Sequence, residues 1–360
     1  MKAVAVTPGV RNSMAVLDAP DPQLGERDVL IKLVRVGICG TDMEIKEGEY
    51  GTAPSGSDHL IIGHEALGRV AEVGPLVRGF AVGDYVVASV RRPCQHRHCL
   101  PCRSGLNDMC VTGDFKERGI NSLHGYMAEF YSEDEQSLIR IPPELEPVGV
   151  LLEPLSIVEK AIRQTFKIQE RLPWKVESAF VLGAGAIGLL GAMLLRLQGI
   201  QTYVLDHSDS GGYKARLIGE LGAQHFDTRE TSLSAVANEV GQVDLVLEAT
   251  GYAPLVFEAA QSLALNGLVC LLGVSGGSRE VTLESVDFNN NLVLGNRLIF
   301  GSVNASLEDF RSGVGHLQEI GGLWPGVLEA MLTRRTALSQ FQAAFDRQPD
   351  DIKVVIEVDP

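Results

Sequence analysis

The rhythm of hydrophobic and polar positions changes near the middle of the chain. Over roughly the first 150 residues, short apolar runs such as Val29-Leu30-Ile31-Lys32-Leu33-Val34 and Asp84-Tyr85-Val86-Val87-Ala88 are closely punctuated by glycine and proline. That pattern predicts a barrel-like β domain carrying functional loops, with Met1-Lys2-Ala3-Val4-Ala5-Val6 as its first strand. From Ser178 onward strands and helices alternate. Ala179-Phe180-Val181-Leu182 leads into a glycine turn and an apolar helix from Leu189 to Leu197. Thr202-Tyr203-Val204-Leu205 and a helix over Tyr213 to Leu221 follow, then Val243 to Leu247, Leu268 to Leu272 and Leu298 to Phe300. Continuous apolar strands separated by helices predict a parallel sheet covered on both faces. The tail changes style again, with a helix over Leu307 to Leu317, a Trp324-Pro325 break and a strand over Ile352 to Ile356, and is expected to pack back on the first domain. The chain is therefore read as α/β with two domains, 1–160 together with 307–360, and 161–306.

Composition narrows the classes. A chain of 360 residues, 45% of them hydrophobic, has ample material for two cores. A formal charge of −15 repels polyanions, which argues against nucleic acid and anionic membrane surfaces as partners. The sequence contains no apolar stretch of the ~20 residues needed to span a bilayer, and its N-terminus does not read as a signal peptide, so a cytoplasmic location is expected. Four of the six cysteines fall between Cys94 and Cys110, a crowding that in a large cytosolic protein favours metal thiolates over disulfides.

Candidate chemistry begins with Gly183-Ala184-Gly185-Ala186-Ile187-Gly188. Three glycines in a chain that holds 39 are weak alone. Here they follow a strand, open an apolar helix and precede Asp206 at the end of the next strand, the full context of a dinucleotide (Rossmann) fingerprint. Gly183 permits the turn, Gly185 admits the pyrophosphate to the backbone N–H groups, and Gly188 lets the helix pack closely, with its N-terminus at the phosphates. The Asp206 carboxylate suits the ribose hydroxyls of NAD and would repel the 2′-phosphate of NADP, so NAD is expected to be preferred; Lys214 and Arg216 nearby could soften that preference toward dual use.

Upstream lie potential metal ligands. A zinc ion that does chemistry takes about three N, S or O ligands and keeps one position open. Cys39, in Gly37-Ile38-Cys39-Gly40-Thr41-Asp42, and the pair His64-Glu65 after Gly63 offer such ligands in glycine-flanked loops. Taken singly, Cys39 reads as a buried thiol and His64 as a core histidine. Together, ahead of a nucleotide fold, they read as a metal site. Glu153, a carboxylate among apolar neighbours in Leu151-Leu152-Glu153-Pro154-Leu155, needs a partner that a cation could supply. A Lewis acid beside a hydride carrier implies alcohol oxidation.

With these motifs the chain resembles the zinc-dependent medium-chain alcohol dehydrogenase superfamily, through Cys39-Gly40-Thr41-Asp42, Gly63-His64-Glu65, Gly83-Asp84-Tyr85-Val86 and the fingerprint from Gly183 to Gly188. Within it the chain resembles the glucose dehydrogenase branch, through Val90-Arg91-Arg92-Pro93, Phe115 to Ile120, His124-Gly125-Tyr126-Met127, Leu152 to Leu155 and Gly301-Ser302-Val303-Asn304. The resemblance implies a GroES-like β-rich catalytic domain joined to a Rossmann domain, and a homodimer or homotetramer. It implies that Cys39, His64 and Glu153 surround a catalytic zinc, with Glu65 near it or linked through water. Thr41, Glu65, Glu117, Glu153 and Asn304 are implied to contact a sugar, and Leu272-Gly273-Val274 with Ser302-Val303-Asn304 to line the nicotinamide. The implied reaction is oxidation of an aldose C1 hydroxyl to the lactone, with Thr41 or a water on Glu65 as the first proton station. Read from residue type alone, Glu117 would be a solvated loop residue and Asn304 a helix cap.

Cys94, Cys99, Cys102 and Cys110 have the ligand type of a closed structural zinc site. The family spacing counted back from Cys99 lands on His96, whereas counting forward from Val90-Arg91-Arg92 favours Cys94 with a two-residue insertion. Cys94 is preferred as first ligand and His96 stays open. Cys270, alone in an apolar strand, reads as a core thiol. Two other functions share parts of this machinery: a polyol, threonine or other secondary-alcohol dehydrogenase, and a nicotinamide-binding protein without turnover. The segment Asn291 to Asn296 near the sheet edge is a candidate for pairing across a two-fold axis.

Overall fold

The computed structural model describes residues 1–276 and 279–358. Gly277 and Ser278 lie outside the described residues, as do Asp359 and Pro360 at the end of the expected 307–360 segment. Packing divides the chain into two units, Met1–Ser156 with Asn304–Gln318 and Met331–Pro360, and Ile157–Val303 with Glu319–Ala330. Residues 319–330 thus group with the second unit, although the sequence pattern had joined them to the first.

In the first unit a seven-stranded sheet runs in the order Leu138–Ile141, Tyr85–Ala88, Glu65–Val73, Asp28–Ile38, Val354–Glu357, Arg334–Ala337, with Phe130–Asp134 pairing off this path with Asp28–Ile38. Smaller three-stranded sheets are built on Lys2–Val6 and on Lys116–Arg118. The inward residues of the large sheet, including Ile31, Leu33, Val36 and Val86, are buried in one cluster with Tyr126 and Met127. The tail enters this sheet: Val354–Glu357 pairs antiparallel with Asp28–Ile38, Val355 facing Gly37.

In the second unit six strands form a wholly parallel sheet, in the order Gln224–Asp227, Gln201–Asp206, Ser178–Leu182, Val243–Glu248, Leu263–Leu271, Leu298–Gly301. Numbered along the chain this is 3-2-1-4-5-6, the doubly wound order whose direction reverses between the first and fourth strands, where such folds bind nucleotides. Phe180, Leu182, Leu205, Val246 and Val269 form its core. The strand Gln224–Asp227 escaped the sequence pattern because His225 and Asp227 interrupt its apolar run. Asn291 to Asn296 lies at the end of the helix Ser285–Leu294 and in the turn after it, while the outer strand is Leu298–Gly301. The expected helix from Leu307 extends to Leu323.

Candidate functional site

The first cluster is assembled at a strand end. Asp28–Ile38 delivers Cys39 as the N-cap of the helix Gly40–Lys46, whose Asp42 carboxylate accepts the Cys39 N–H at 3.0 Å. Gly63, in left-handed backbone at φ +85°, turns the chain into Glu65–Val73, so His64 and Glu65 arrive beside Cys39. Gly37 faces Glu65 across the sheet, and a Cβ there would sit 2.1 Å from Glu65 Oε2, so any side chain at this position would displace the Glu65 carboxylate. The Cys39 sulfur lies 3.1 Å from His64 Nε2, and ligand atoms of Cys39, His64 and Glu65 all lie within 4.8 Å of one another. Glu153, buried in the first turn of Leu152–Gln169, is close enough to raise the proton affinity of His64.

The electrostatics of the cluster suit a cation. Burial pushes the Cys39 thiol and the Asp42 carboxyl up, and the Glu153 carboxyl to about 7. Against its own burial, the neighbouring Cys39 and Asp42 raise His64 well above the ordinary imidazole value. Asp42 Oδ1 and His64 Nδ1 are buried without hydrogen-bond partners, 3.7 Å apart. A soft sulfur, an imidazole and carboxylates converging in a buried space fit zinc by donor chemistry.

Sequence reasoning missed Lys353. Its ammonium, with a side chain 3% exposed, donates to both Glu65 oxygens at 2.7 and 2.5 Å and to the Ile38 carbonyl at 3.3 Å. The available signal was a lysine inside the apolar run Ile352-Lys353-Val354-Val355-Ile356. Thr41, in the first turn after Cys39, is half-buried.

Glu117 is not a solvated loop residue. It is 5% exposed on the strand Lys116–Arg118, and its Oε1 accepts from Arg91 Nε at 3.0 Å, Arg91 Nη2 at 2.9 Å and Asn304 Nδ2 at 2.8 Å. The Arg91 guanidinium lies over the Phe115 ring, 3.7 Å from its centroid. Asn304 is not the helix cap either. It sits in left-handed backbone at φ +61°, while the N–H and hydroxyl of Ser306, the residue before Leu307–Leu323, both donate to Asp309. The first unit thus joins Glu117 directly to Asn304 and also pairs it with Arg91, which the sequence had offered only as part of a motif.

Cys94, Cys99, Cys102 and Cys110 converge, their sulfurs within 4.8 Å of one another. His96 turns instead to Asp114, Nε2 to Oδ2 at 2.8 Å, with its side chain 43% exposed. Although burial opposes it, hydrogen bonds from Thr112 and the other thiols pull Cys110 down to about 6. Cys270 is fully buried, its thiol pushed by burial to about 12.

In the second unit, Gly183 has φ +102°, Gly185 caps the helix Ala186–Leu197 in extended backbone, and a Cβ on Gly188 would lie 1.9 Å from the Gly183 carbonyl oxygen. A Cβ on Gly185 would meet nothing within 4 Å, so the backbone at this helix N-terminus is uncrowded on that side. Leu272, Gly273 and Val274 follow the C-terminal end of Leu263–Leu271, and Ser302 and Val303 that of the neighbouring Leu298–Gly301, with Val274 and Val303 exposed. Asp206 closes the strand Gln201–Asp206. Its Oδ1 accepts from His225 Nε2 at 2.7 Å, Ser208 Oγ at 2.5 Å and Ser208 N at 3.1 Å. Burial works against the charge, but these hydrogen bonds hold the carboxyl below its ordinary range.

Comparison with known proteins agrees with this architecture. Residues 25–143 match the alcohol dehydrogenase GroES-like domain, and residues 146–358 match the glucose dehydrogenase C-terminus. The chain is 44% identical over 358 residues to a glucose 1-dehydrogenase of Methanocella arvoryzae, covering 99% of each chain. It is 42% identical to glucose 1-dehydrogenase 1 of Caldivirga maquilingensis, covering 100% of this chain and 99% of the other. Among solved structures it superposes on Haloferax mediterranei glucose dehydrogenase in complex with NADP, Zn and gluconolactone, with a TM-score of 0.92, 36% identity and complete coverage of both chains. The chain belongs to the zinc-dependent medium-chain alcohol dehydrogenase superfamily and, within it, to the glucose dehydrogenase family.

Proposed function

We propose that the protein is a zinc-dependent aldose 1-dehydrogenase that oxidises the C1 hydroxyl of D-glucose, or of a close aldose such as galactose or xylose, to the lactone and passes hydride to NAD(P), with NAD preferred. The observation that carries this reading is the convergence of Cys39, His64 and Glu65 within 4.8 Å, in a chain of the glucose dehydrogenase family. Cys39, His64 and Glu153 would hold the zinc, with Glu65 beside it or acting through water. Bound there, zinc supplies Lewis acidity toward the hydroxyl, and the nicotinamide supplies the hydride acceptor.

The remaining work falls to the chain. Thr41 Oγ1, or a water on Glu65, takes the hydroxyl proton. Glu117 and Asn304, tied together by the 2.8 Å hydrogen bond, present a carboxylate and an amide to sugar hydroxyls. Lys353 fixes Glu65 by binding both its oxygens, so this carboxylate enters the chemistry already oriented. Gly183 to Gly188 cradles the pyrophosphate, Leu272 to Val274 and Ser302 to Asn304 line the nicotinamide, and Asp206 receives the ribose hydroxyls, which supports NAD over NADP. The four-cysteine lobe takes a second, structural zinc. We place the enzyme in the cytoplasm as a homo-oligomer, dimer or tetramer, which light scattering tests.

The deciding assay is NAD(P)H formation with D-glucose, D-galactose, D-xylose, sorbitol, L-threonine and ethanol, with each nucleotide, before and after chelation. Chelator-sensitive turnover of aldoses is expected. Turnover confined to sorbitol or threonine would remove the sugar roles of Glu117 and Asn304. No turnover, with NADH still bound, would favour a non-catalytic binding protein.

A further inference from the structure

The carboxylate that should read the adenosine ribose is not free-standing. The strand Gln224–Asp227 runs parallel to Gln201–Asp206, with His225 opposite Val204 and Asp227 opposite Asp206. From there His225 Nε2 reaches Asp206 Oδ1 at 2.7 Å, and Ser208 binds the same oxygen through both its N–H and its hydroxyl. All three hydrogen bonds go to Oδ1 and leave Oδ2 outside the set. The His225 side chain is only 6% exposed, and its Nδ1 is buried without a hydrogen-bond partner.

That arrangement fixes the rotamer of Asp206 and holds its negative charge beside the ribose, where it repels a 2′-phosphate. The other charged groups around His225 are Asp227, Asp209 and Arg229, joined in one ion-pair cluster, and His207, which shares a hydrogen bond with Thr228. The helix Tyr213–Glu220, packed on this strand, adds Lys214, Arg216 and Glu220.

We infer that His225 is a positioning residue for coenzyme recognition: it holds Asp206 in its ribose-binding geometry, and that hold sets how well the site discriminates NAD from NADP. The inference rests on the reading of Asp206 as the ribose ligand.

The test uses binding, so it does not depend on the metal or the sugar. Dissociation constants for NADH and NADPH are measured by fluorescence titration at one neutral pH for the purified enzyme and for His225→Val, His225→Gln and Asp206→Asn. His225→Val removes the donor to Asp206 and should lower the NADPH-to-NADH ratio of dissociation constants about five- to tenfold, mainly by weakening NADH. His225→Gln keeps an N–H donor and should restore much of the parent's ratio. If His225→Val folds by near-ultraviolet circular dichroism and keeps the parent's ratio, His225 has no such role. If it misfolds, His225→Asn, whose shorter side chain cannot reach Asp206, replaces it with the same expected loss. Asp206→Asn separates the two readings: unchanged discrimination in this variant overturns the ribose role of Asp206 itself, whereas altered discrimination there with none at His225 overturns only the inference about His225.

Discussion

Two buried polar clusters in the first unit use similar residues to opposite ends. Around Glu133 the hydrogen bonding is saturated: its two oxygens accept from Arg92, from Arg118 Nε at 2.9 Å, from the Tyr126 hydroxyl at 3.1 Å and from the Asp134 N–H at 3.1 Å. Around Cys39 it is not, since His64 Nδ1 and Asp42 Oδ1 are buried and unpartnered, and Glu153 and Cys39 have their proton affinities raised by burial. Leaving a buried polar atom unpaired costs roughly 1–3 kcal/mol, so a carboxylate whose two oxygens are both paired, set against a histidine and an aspartate that keep an unpaired atom each, separates a strut from a site. The Glu133 cluster joins strands of the β domain. The Cys39 cluster has donor atoms to offer to something that is not protein.

The sharpest way to break this contrast is Cys39→Ser. It should remove one zinc per chain by atomic absorption and lower aldose turnover by at least about a thousandfold, some 4 kcal/mol of barrier, while NADH binding by fluorescence stays within about twofold. Turnover at the parental rate in a zinc-stripped variant would sink the metal assignment.

At the saturated cluster the corresponding change is Glu133→Gln. It strands Arg92 and Arg118 in a buried space and should cost about 3–5 kcal/mol in urea unfolding at pH 7, with activity per folded molecule retained. The pH dependence has a definite sign. Burial alone would raise the Glu133 carboxyl, but Arg118 and Arg92 overcome it and hold the carboxyl below the ordinary 4.5. Its contribution is therefore present above about pH 4.5 and is lost as the pH falls through the lowered value, so parent and variant should converge in stability toward acid pH. A constant gap between them from pH 7 to pH 3.5 would refute the ionic account.

What the sequence made legible follows from what is local. The glycine turn, the parallel strands and the Cys39 and His64-Glu65 loops are short-range patterns whose residue types answer to backbone geometry, and they were readable as such. Residues that act through distant partners were not. Lys353 lies 288 positions from the Glu65 carboxylate it binds, Asn304 lies 187 from Glu117, and His225 reaches Asp206 from a strand whose own polar residues disguised it. Residue type also misled where burial reverses a residue's usual habit: Glu117 sits in the charged run Lys116-Glu117-Arg118, yet it alone of the three is buried.

A smaller effect is expected at the arginine that ties Glu117 in place. Arg91→Met keeps the stack on Phe115 in part and removes the donors to Glu117, so kcat/KM for glucose should fall about ten- to thirtyfold, near 2 kcal/mol, mainly through KM. The KM for NAD should hold. Equal losses for sugar and nucleotide would mean that Arg91 supports the lobe as a whole rather than the Glu117 carboxylate, since it also donates to the Asp108 carbonyl at 3.0 Å.

The smallest effect separates two neighbours in one loop. Ser306 and Asp309 close the start of Leu307–Leu323, whereas Asn304, two residues earlier, spends its amide on Glu117. Ser306→Ala should therefore cost about 1 kcal/mol of stability or less, with the sugar KM unchanged. Asn304→Gly keeps the left-handed backbone at no steric cost, so it should leave stability within about 0.5 kcal/mol while raising the sugar KM severalfold. Thermal unfolding paired with glucose saturation curves for the two variants reads both quantities at once. The opposite pattern, with Asn304→Gly unfolding early and binding sugar normally, would return Asn304 to the capping role that its position in the sequence first suggested.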